Sequence, residues 1–366
     1  MDASTLSKLY SLDGPFVTLY VDSSSTAEDA AEQYDIRWRN ILRELEQSGV
    51  DAATREAISA ARGEHGRGGT RVIVATGGSV QLAQSLPHPP AQEIVQTGNL
   101  PVLAPLVDAL GLQVPHVVVL ADRKGADVLA YTAGPDPVET GTVNNDRFPD
   151  RKVHAGGWAA KRYSNDVEET WEQSARDVAG LVAQVAKDVD ARLVIASGDE
   201  RALQLLPQHL PTDLVDRFVA IGGGGRHADG SDDVIADEVL RVLADTVTAD
   251  TVELLEKFAE ERGQDDRAAD GVTATVAALR MGQVDTLVLT DARDGGSELF
   301  FGPDPTHLAL SAQELMDLGV EQPFAAAADE VLIRAALGTG AEVRFVTGGV
   351  EQSPSEGVGA LLRFSV

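Results

Sequence analysis

Short runs of aliphatic and β-branched residues alternate with longer amphipathic segments along the whole chain of 366 residues. Phe16–Val21 and Arg71–Thr76 are typical of buried strands, and between them an apolar stripe recurs at helical spacing through Tyr34, Trp38 and Ile41. A strand and an amphipathic helix each have one apolar face to bury, so this alternation predicts an α/β (α+β) fold. At about 100–200 residues per domain, the length predicts two or three domains.

Three stretches of similar size repeat this alternation. We predict three consecutive compact α/β domains, at residues 1–112, 113–249 and 250–366. The second opens with a predicted hairpin around Gly125 and continues into a long helix from about Asn165. In the third, a helix is predicted over about Ala325–Leu337 and a final strand over Gly359–Phe364.

A polar stretch rich in Gly and Pro, Gly134 to about Tyr163, separates the predicted hairpin from the long helix. Ordinary connections have about 4–6 residues, and loops of this length are usually functional or disordered. The sequence therefore predicts a long loop in the middle domain.

The net charge of −28 is unevenly distributed. The three predicted domains carry −6, −9 and −13, whereas Val143–Asn165 carries +3. A second basic segment, Arg55–Arg71, has four arginines against two glutamates. A chain this acidic repels polyphosphates as a whole, so contact with nucleic acid is expected only at these two segments.

Several classes of protein are excluded by composition. The chain has no cysteine, which removes disulfides, thiolate metal sites and cysteine nucleophiles. The seven histidines are scattered, and only His227 and Asp229 lie close together in sequence, so we expect no metal and no cofactor. No window approaches 18 consecutive apolar residues and the first residues lack a secretory pattern, so we expect a soluble cytoplasmic protein with no membrane contact.

The most specific motif is His154-Ala-Gly-Gly-Trp-Ala-Ala-Lys-Arg-Tyr163. Paired glycines allow the backbone to approach another surface closely, Trp158 can stack on a base, and Lys161 and Arg162 can contact phosphates. On the residues alone, a Gly-Gly turn with Trp158 packed against the sheet explains the pattern equally well.

Asp122 and Asp199 both follow predicted strands of the middle domain. Two carboxylates at one sheet edge would suit a metal-dependent nuclease. An aspartate after a strand is, however, more often a turn former, so this alternative ranks below a binding function.

The chain resembles the release-factor/Pelota superfamily. The Gly-Gly-x-x-x-x-Arg-Tyr pattern of Gly156–Tyr163, leading into a long helix, resembles the Gly-Gly-Gln loop of the eukaryotic and archaeal class-one release factors. Ala277–Leu289, Ala341–Val343 and Gly357–Phe364 are similar to that family's C-terminal strands and helix. The likeness covers the second and third domains better than the first, and is greatest to bacterial members, the Balon-type ribosome hibernation factors.

Two departures from the family pattern bear on function. In a release factor the Gln of Gly-Gly-Gln positions the hydrolytic water, and Trp158 stands there in this chain. An indole has one N–H donor and no acceptor, so it cannot orient a water in the same way. The stop-codon loop is also missing, since the nearest string, Asn40–Arg43, belongs to a predicted helix.

The resemblance implies three domains arranged as a tRNA mimic and a binding role without enzymatic activity. It implies a hibernation factor that occupies the vacant aminoacyl-tRNA site, contacts rRNA of both subunits, binds elongation factor Tu or another translational GTPase, and is a monomer away from the ribosome. The alternative is a peptidyl-tRNA hydrolase or ribosome-rescue factor that uses a residue other than the missing Gln. The expected large-subunit contacts are Arg151, Lys152, His154, Gly156, Gly157, Trp158, Lys161, Arg162 and Tyr163, and the expected small-subunit contacts are Arg62, His65, Arg67 and Arg71.

Overall fold

The computed structural model describes residues 3–24, 30–63, 69–122, 124–132, 136–144, 158–222, 224, 232–264, 266–290, 297–346, 348 and 352–364, without the side chains of 3–4, 158–170 and 232. The chain forms two compact units. The terminal unit comprises Met1–Leu112 and Thr251–Val366, and the middle unit comprises Gln113–Asp250.

The first segment of the terminal unit is an antiparallel sheet with helices. Its elements are α1 (Ala3–Tyr10), β1 (Phe16–Asp22), α2 (Ala30–Gln47), α3 (Ala52–Ala60), β2 (Thr70–Thr76), β3 (Ser79–Leu86), β4 (Ile94–Gly98) and α4 (Ala104–Gly111). The strand order is β3-β2-β1-β4. One face of the sheet is covered by the apolar stripe of α2, in which Trp38 is fully buried.

The last segment of the terminal unit has two sheets. It contains β10 (Ala268–Asp270), α9 (Val272–Arg280), β11 (Val284–Thr290), β12 (Glu298–Phe301), β13 (Leu308–Ala309), α10 (Ala312–Asp317), β14 (Phe324–Ala327), α11 (Ala328–Gly338), β15 (Glu342–Val346), a 3-10 turn at Ser355–Gly357 and β16 (Val358–Leu362). The larger sheet has the order β10-β16-β11-β15, and the smaller β13-β12-β14. Helix α11 is buried along its length because it packs inside this segment and against the first one.

The two segments share one hydrophobic core. Leu6 of α1 and Leu106 of α4 belong to the same buried cluster as Val331 and Leu332 of α11. Burial of these side chains contributes roughly 1.5–3 kcal/mol each, which favours association of the segments.

The middle unit is a mixed sheet between helices. Its elements are β5 (His116–Ala121), β6 (Gly125–Tyr131), β7 (Glu139–Asn144), α5 (Trp158–Asp188), β8 (Leu193–Gly198), α6 (Glu200–His209), α7 (Thr212–Val215), β9 (Phe218–Ala220) and the first part of α8 (Asp232–Gln264). The strand order is β7-β6-β5-β8-β9, with β5, β8 and β9 parallel. One face packs on α5 and α6 and the other on α8.

The α/β fold class is confirmed for the described residues. The division into three domains stays a prediction; in the structure the first and third segments form one compact unit. The loop prediction for Gly134–Tyr163 is wrong at both ends, because β7 extends the hairpin and the α5 backbone begins at Trp158. The predicted helix from Ala325 begins at Ala328, after β14.

None of the helices in the described ranges is at once long enough and apolar enough to cross a membrane.

Candidate nucleic-acid interface

Of the nine predicted large-subunit contacts, the structure describes four, and of these four only the backbone. Arg151, Lys152, His154, Gly156 and Gly157 lie outside the described residues. For the other four, Trp158, Lys161, Arg162 and Tyr163, the structure describes a helical backbone in α5 and no side chain. The roles of these nine residues therefore stay predictions.

The two ends of the segment that carries the Gly-Gly-Trp motif are held by the sheet. Strand β7 pairs with β6 up to Asn144, which lies opposite Gly125. Helix α5 then runs close over β7, because Gly141 has no side chain; a Cβ there would lie 2.9 Å from Leu181 Cδ2. The segment 145–157 therefore connects two elements that pack on each other.

Arg62 and Arg71, two of the predicted small-subunit contacts, are brought together around Tyr34. The Arg62 guanidinium lies 5.7 Å from the centre of the Tyr34 ring, and the Tyr34 hydroxyl donates to the Arg62 carbonyl at 2.8 Å. Burial raises the pKa of Tyr34, and the charges of Arg62, Arg71 and Arg37 act in the opposite direction. The other two predicted contacts, His65 and Arg67, fall in the undescribed segment 64–68.

Arg37 joins this cluster, and sequence reasoning missed it. The sequence of helix α2 predicts that Arg37 lies on a solvated polar face. In the structure its Nη1 donates to the Asp22 carbonyl at 2.7 Å, and its Nε lies 3.3 Å from Glu93 Oε1. Its position one turn after Tyr34 was the available signal, because residues three apart share a helix face. We call Tyr34, Arg37, Arg62 and Arg71 the arginine cluster.

Two of the three guanidinium groups already have carboxylate partners. Arg62 pairs with Asp35 at 2.6 Å and Arg37 with Glu93. Arg71 instead donates from Nε and Nη2 to the Ala61 carbonyl, at 3.0 and 2.6 Å. Its charge therefore stabilises the C-terminal end of α3 and is the one in the cluster best suited to a phosphate oxygen.

The carboxylates considered for a nuclease have structural roles. Asp122 Oδ1 accepts from the backbone N–H of Lys124 and Gly125, at 2.6 and 2.9 Å, which closes the β5–β6 turn. Asp199 is the N-cap of α6 and accepts from the Arg201 N–H at 3.0 Å. In the described parts of the chain, no group of three or more His, Asp or Glu side chains could hold a metal ion.

Comparison with known proteins gives a family match over the middle of the chain. Residues 115–264 match the model of bacterial archaeo-eukaryotic release factor family 2. The uncharacterized protein Rv2629 of Mycobacterium tuberculosis is 28% identical over 100% of this chain and 97% of its own length.

Solved structures of low similarity were also found. The crystal structure of the archaeal translation termination factor aRF1 is 15% identical, covering 99% of this chain and 97% of its own, with a TM-score of 0.26. A model of ribosome-bound archaeal Pelota and ABCE1 is 16% identical over 99% of this chain and 94% of that one, with a TM-score of 0.42.

Proposed function

We propose that this chain, a bacterial member of the release-factor/Pelota superfamily, is a non-catalytic factor that occupies the vacant aminoacyl-tRNA site of idle ribosomes. The family match carries the proposal, because residues 115–264 include both the Gly-Gly-Trp motif and the sheet and helices that hold its ends. The matching family is named for release factors, which act in translation, and this supports a translation-related function and a cytoplasmic location.

We infer that the chain has no hydrolytic activity from Trp158, the residue after the two glycines. Trp158 offers one N–H donor and no acceptor, whereas activating a hydrolytic water requires a group that can accept a hydrogen bond from its O–H. Gly156 and Gly157 still permit close approach of the backbone to rRNA. We therefore assign the motif to binding in the large subunit.

The distribution of charge supports separate binding segments for RNA and for a protein partner. The segment 250–366 carries −13, and the stretch Val143–Asn165 carries +3. Phosphate contacts need local cations, while an acidic surface suits a protein partner with complementary charge. We assign the C-terminal segment to a translational GTPase, elongation factor Tu in the first instance.

Sedimentation of the purified chain with vacant ribosomes tests the proposal. The chain should migrate with 70S particles, and the double variant Lys161→Glu/Arg162→Glu should weaken binding and reduce its salt dependence, since two phosphate contacts are lost. The matched control is Arg176→Glu/Lys187→Glu, which makes the same charge change on α5, at positions whose exposed side chains lie far along the helix. Failure of the native chain to co-migrate, or equal effects of the two double variants, would contradict the proposal.

A release assay separates binding from hydrolysis. With ribosomes that hold a labelled peptidyl-tRNA, we expect no more release than in buffer. Release that disappears on substitution of residues 154–163 would identify a peptidyl-tRNA hydrolase instead. Capture of the chain by immobilised elongation factor Tu, in its GTP and GDP forms, tests the GTPase assignment separately.

A further inference from the structure

An open apolar groove lies in the middle unit between the sheet and helix α8. It has a volume of about 510 Å³. The residues that line it come from β5, β6 and α8: His116, Val118, Leu120, Leu129, Tyr131, Ile235, Ala236, Val239, Leu240 and Leu243. The groove lies within the matched residues 115–264, and the ribosome-binding proposal assigns no contact to it.

His116 supplies a hydrogen-bond acceptor at the groove. Its side chain is buried, at 8% exposure, and its ring stacks on Tyr131 with the centres 4.9 Å apart and the planes 7° from parallel. Nδ1 lies 2.7 Å from the Val114 carbonyl, and because a carbonyl only accepts, Nδ1 carries the proton. Nε2 is then an acceptor, and within the described ranges no group donates to it.

The groove has no charge to offer a ligand. Among its ten lining residues there is no Lys, Arg, Asp or Glu. Burial lowers the pKa of His116, so its ring is neutral near pH 7. An ion entering the groove would lose hydration without gaining a counter-charge, which excludes charged ligands.

The size of the groove favours a small molecule over a protein. Ligand pockets have volumes of about 300–1,000 Å³ and combine apolar walls with a few polar groups. A stable protein interface needs roughly 800 Å² from each partner, several times what these ten side chains expose. The exposed Leu240 at the rim extends the apolar wall without enlarging it to that scale.

We propose that the groove between β5, β6 and α8 binds a small uncharged aromatic molecule that donates one hydrogen bond to His116 Nε2. The flat His116–Tyr131 pair forms one wall, and the aliphatic side chains of α8 form the other. The ligand's donor takes the place of water at His116 Nε2, which is accessible from the open groove, and its ring displaces water from the apolar walls.

Indole and 1-methylindole are matched probes, because they differ in the N–H donor. Titration followed by protein-observed NMR should give indole about five-fold tighter binding than 1-methylindole, the size of one neutral hydrogen bond. Benzoate and benzylamine should not bind. The proposal is overturned if the two indoles bind equally, if the ions bind as well as indole, or if indole fails to bind at up to about 10 mM.

Two variants and one control variant locate the site. His116→Phe keeps a ring against Tyr131 and removes the acceptor, so indole should fall to the affinity of 1-methylindole while 1-methylindole is unchanged. Leu240→Asp, at an exposed position, should weaken both probes, whereas Val234→Asp, an exposed residue of the same helix that does not line the groove, should weaken neither. Equal effects of the two Asp variants would place the site elsewhere.

Sedimentation of the chain alone tests the competing occupant. If native chain dimerises and Leu240→Asp is monomeric, the groove is an interface between two copies and the proposal fails. Ribosome binding is measured separately. A failure of indole to bind therefore does not affect the test of ribosome binding, and a failure to bind ribosomes does not affect the test of the groove.

Discussion

The hydroxyl of Tyr10 donates a hydrogen bond to Glu330 Oε2 at 2.6 Å, although 320 residues separate the two in sequence. The same carboxylate accepts from the backbone N–H groups of Leu103 and Ala104, at 2.9 and 3.1 Å, where α4 begins. Glu330 is 4% exposed, so these bonds form in a low-dielectric interior. One side chain of α11 thus ties α1 and α4 to the C-terminal segment.

Removing either partner should loosen the terminal unit. We expect Tyr10→Phe to lower the free energy of unfolding by about 1–2 kcal/mol and Glu330→Gln by about 2–3 kcal/mol, because the amide nitrogen that replaces one carboxylate oxygen cannot accept a hydrogen bond. Urea unfolding measures both. The control, Glu321→Gln, changes an exposed carboxylate of the same segment and should stay within about 0.5 kcal/mol of the native chain.

The double variant Tyr10→Phe/Glu330→Gln measures the coupling directly. We expect it to cost less than the sum of the single variants, because the bond can be lost once only. Strict additivity would mean that the two groups do not interact in solution.

The same contact predicts a loss of stability at alkaline pH. Burial, and then the negative charge of Glu330, raise the pKa of Tyr10 well above its ordinary value of 10.0. Above pH 10 the unfolded chain therefore releases this proton while the folded chain keeps it, so the free energy of unfolding falls as pH rises; below pH 10 the stabilisation is complete. Unfolding of Tyr10→Phe between pH 8 and 11 should show a shallower decline.

Tyr34→Phe is the comparison for this pH series. The pKa of Tyr34 is raised by burial but opposed by arginines, so its removal should change the slope less. Tyr20, whose pKa burial also raises well above 10.0, remains in both variants and keeps some decline in each. Identical slopes for native chain and Tyr10→Phe would contradict the assignment.

Local pattern accounts for the elements that the sequence revealed. The β5–β6 hairpin was predictable, because two apolar runs flank a turn in which Asp122 and Gly125 have recognisable roles. Strand β3 was not, since Leu82 and Leu86 are its only buried side chains and the others are polar or partly exposed. An edge strand of this kind carries too few apolar residues for a period of two to stand out.

Long-range pairing accounts for what the sequence did not reveal. No local pattern in the sequence indicates that Tyr10 and Glu330 contact each other. The core shared by the first and third segments therefore could not be predicted. Arg62 and Arg71 were identified by local charge, whereas Arg37 needed the fold to bring it beside them. In the sequence, His116 is an ordinary strand residue. Only the folded structure shows that its Nδ1 lies beside the Val114 carbonyl, which leaves Nε2 as an acceptor.

Gly198 should be the least replaceable glycine of the parallel strands. It ends β8 with φ +142°, and a Cβ there would lie 1.8 Å from the Ala121 carbonyl oxygen, a backbone atom of β5. We expect Gly198→Ala to destabilise the middle unit by more than about 3 kcal/mol, since the strands must move apart. Thermal unfolding followed by circular dichroism checks this.

Gly141→Ala provides the contrast. Its Cβ would meet the tip of Leu181, a flexible side chain, and we expect a cost of about 1–1.5 kcal/mol. If the two alanine variants unfold at the same temperature, the close approach of β5 and β8 at Gly198 is not a constraint.

The arginine cluster should contribute both stability and RNA affinity, and the two effects can be separated. Arg71→Gln removes a charged donor from the Ala61 carbonyl and should lower the free energy of unfolding by about 1 kcal/mol. Arg62→Gln breaks an exposed ion pair with Asp35 and should cost less than about 0.5 kcal/mol. The double variant removes two positive charges from the arginine cluster, so it should lower the salt dependence of ribosome binding by up to about two counterions.

The control for the RNA effect is Arg39→Gln/Arg43→Gln, which removes two exposed charges from α2. If the salt dependence falls equally in the control, binding responds to the net charge of the segment and not to the cluster. If it falls in the cluster variant alone, while both proteins stay folded at the assay temperature, the guanidinium groups of Arg62 and Arg71 contact phosphates. Arg62→Gln alone then separates affinity from folding, because it leaves the α3 contact of Arg71 intact.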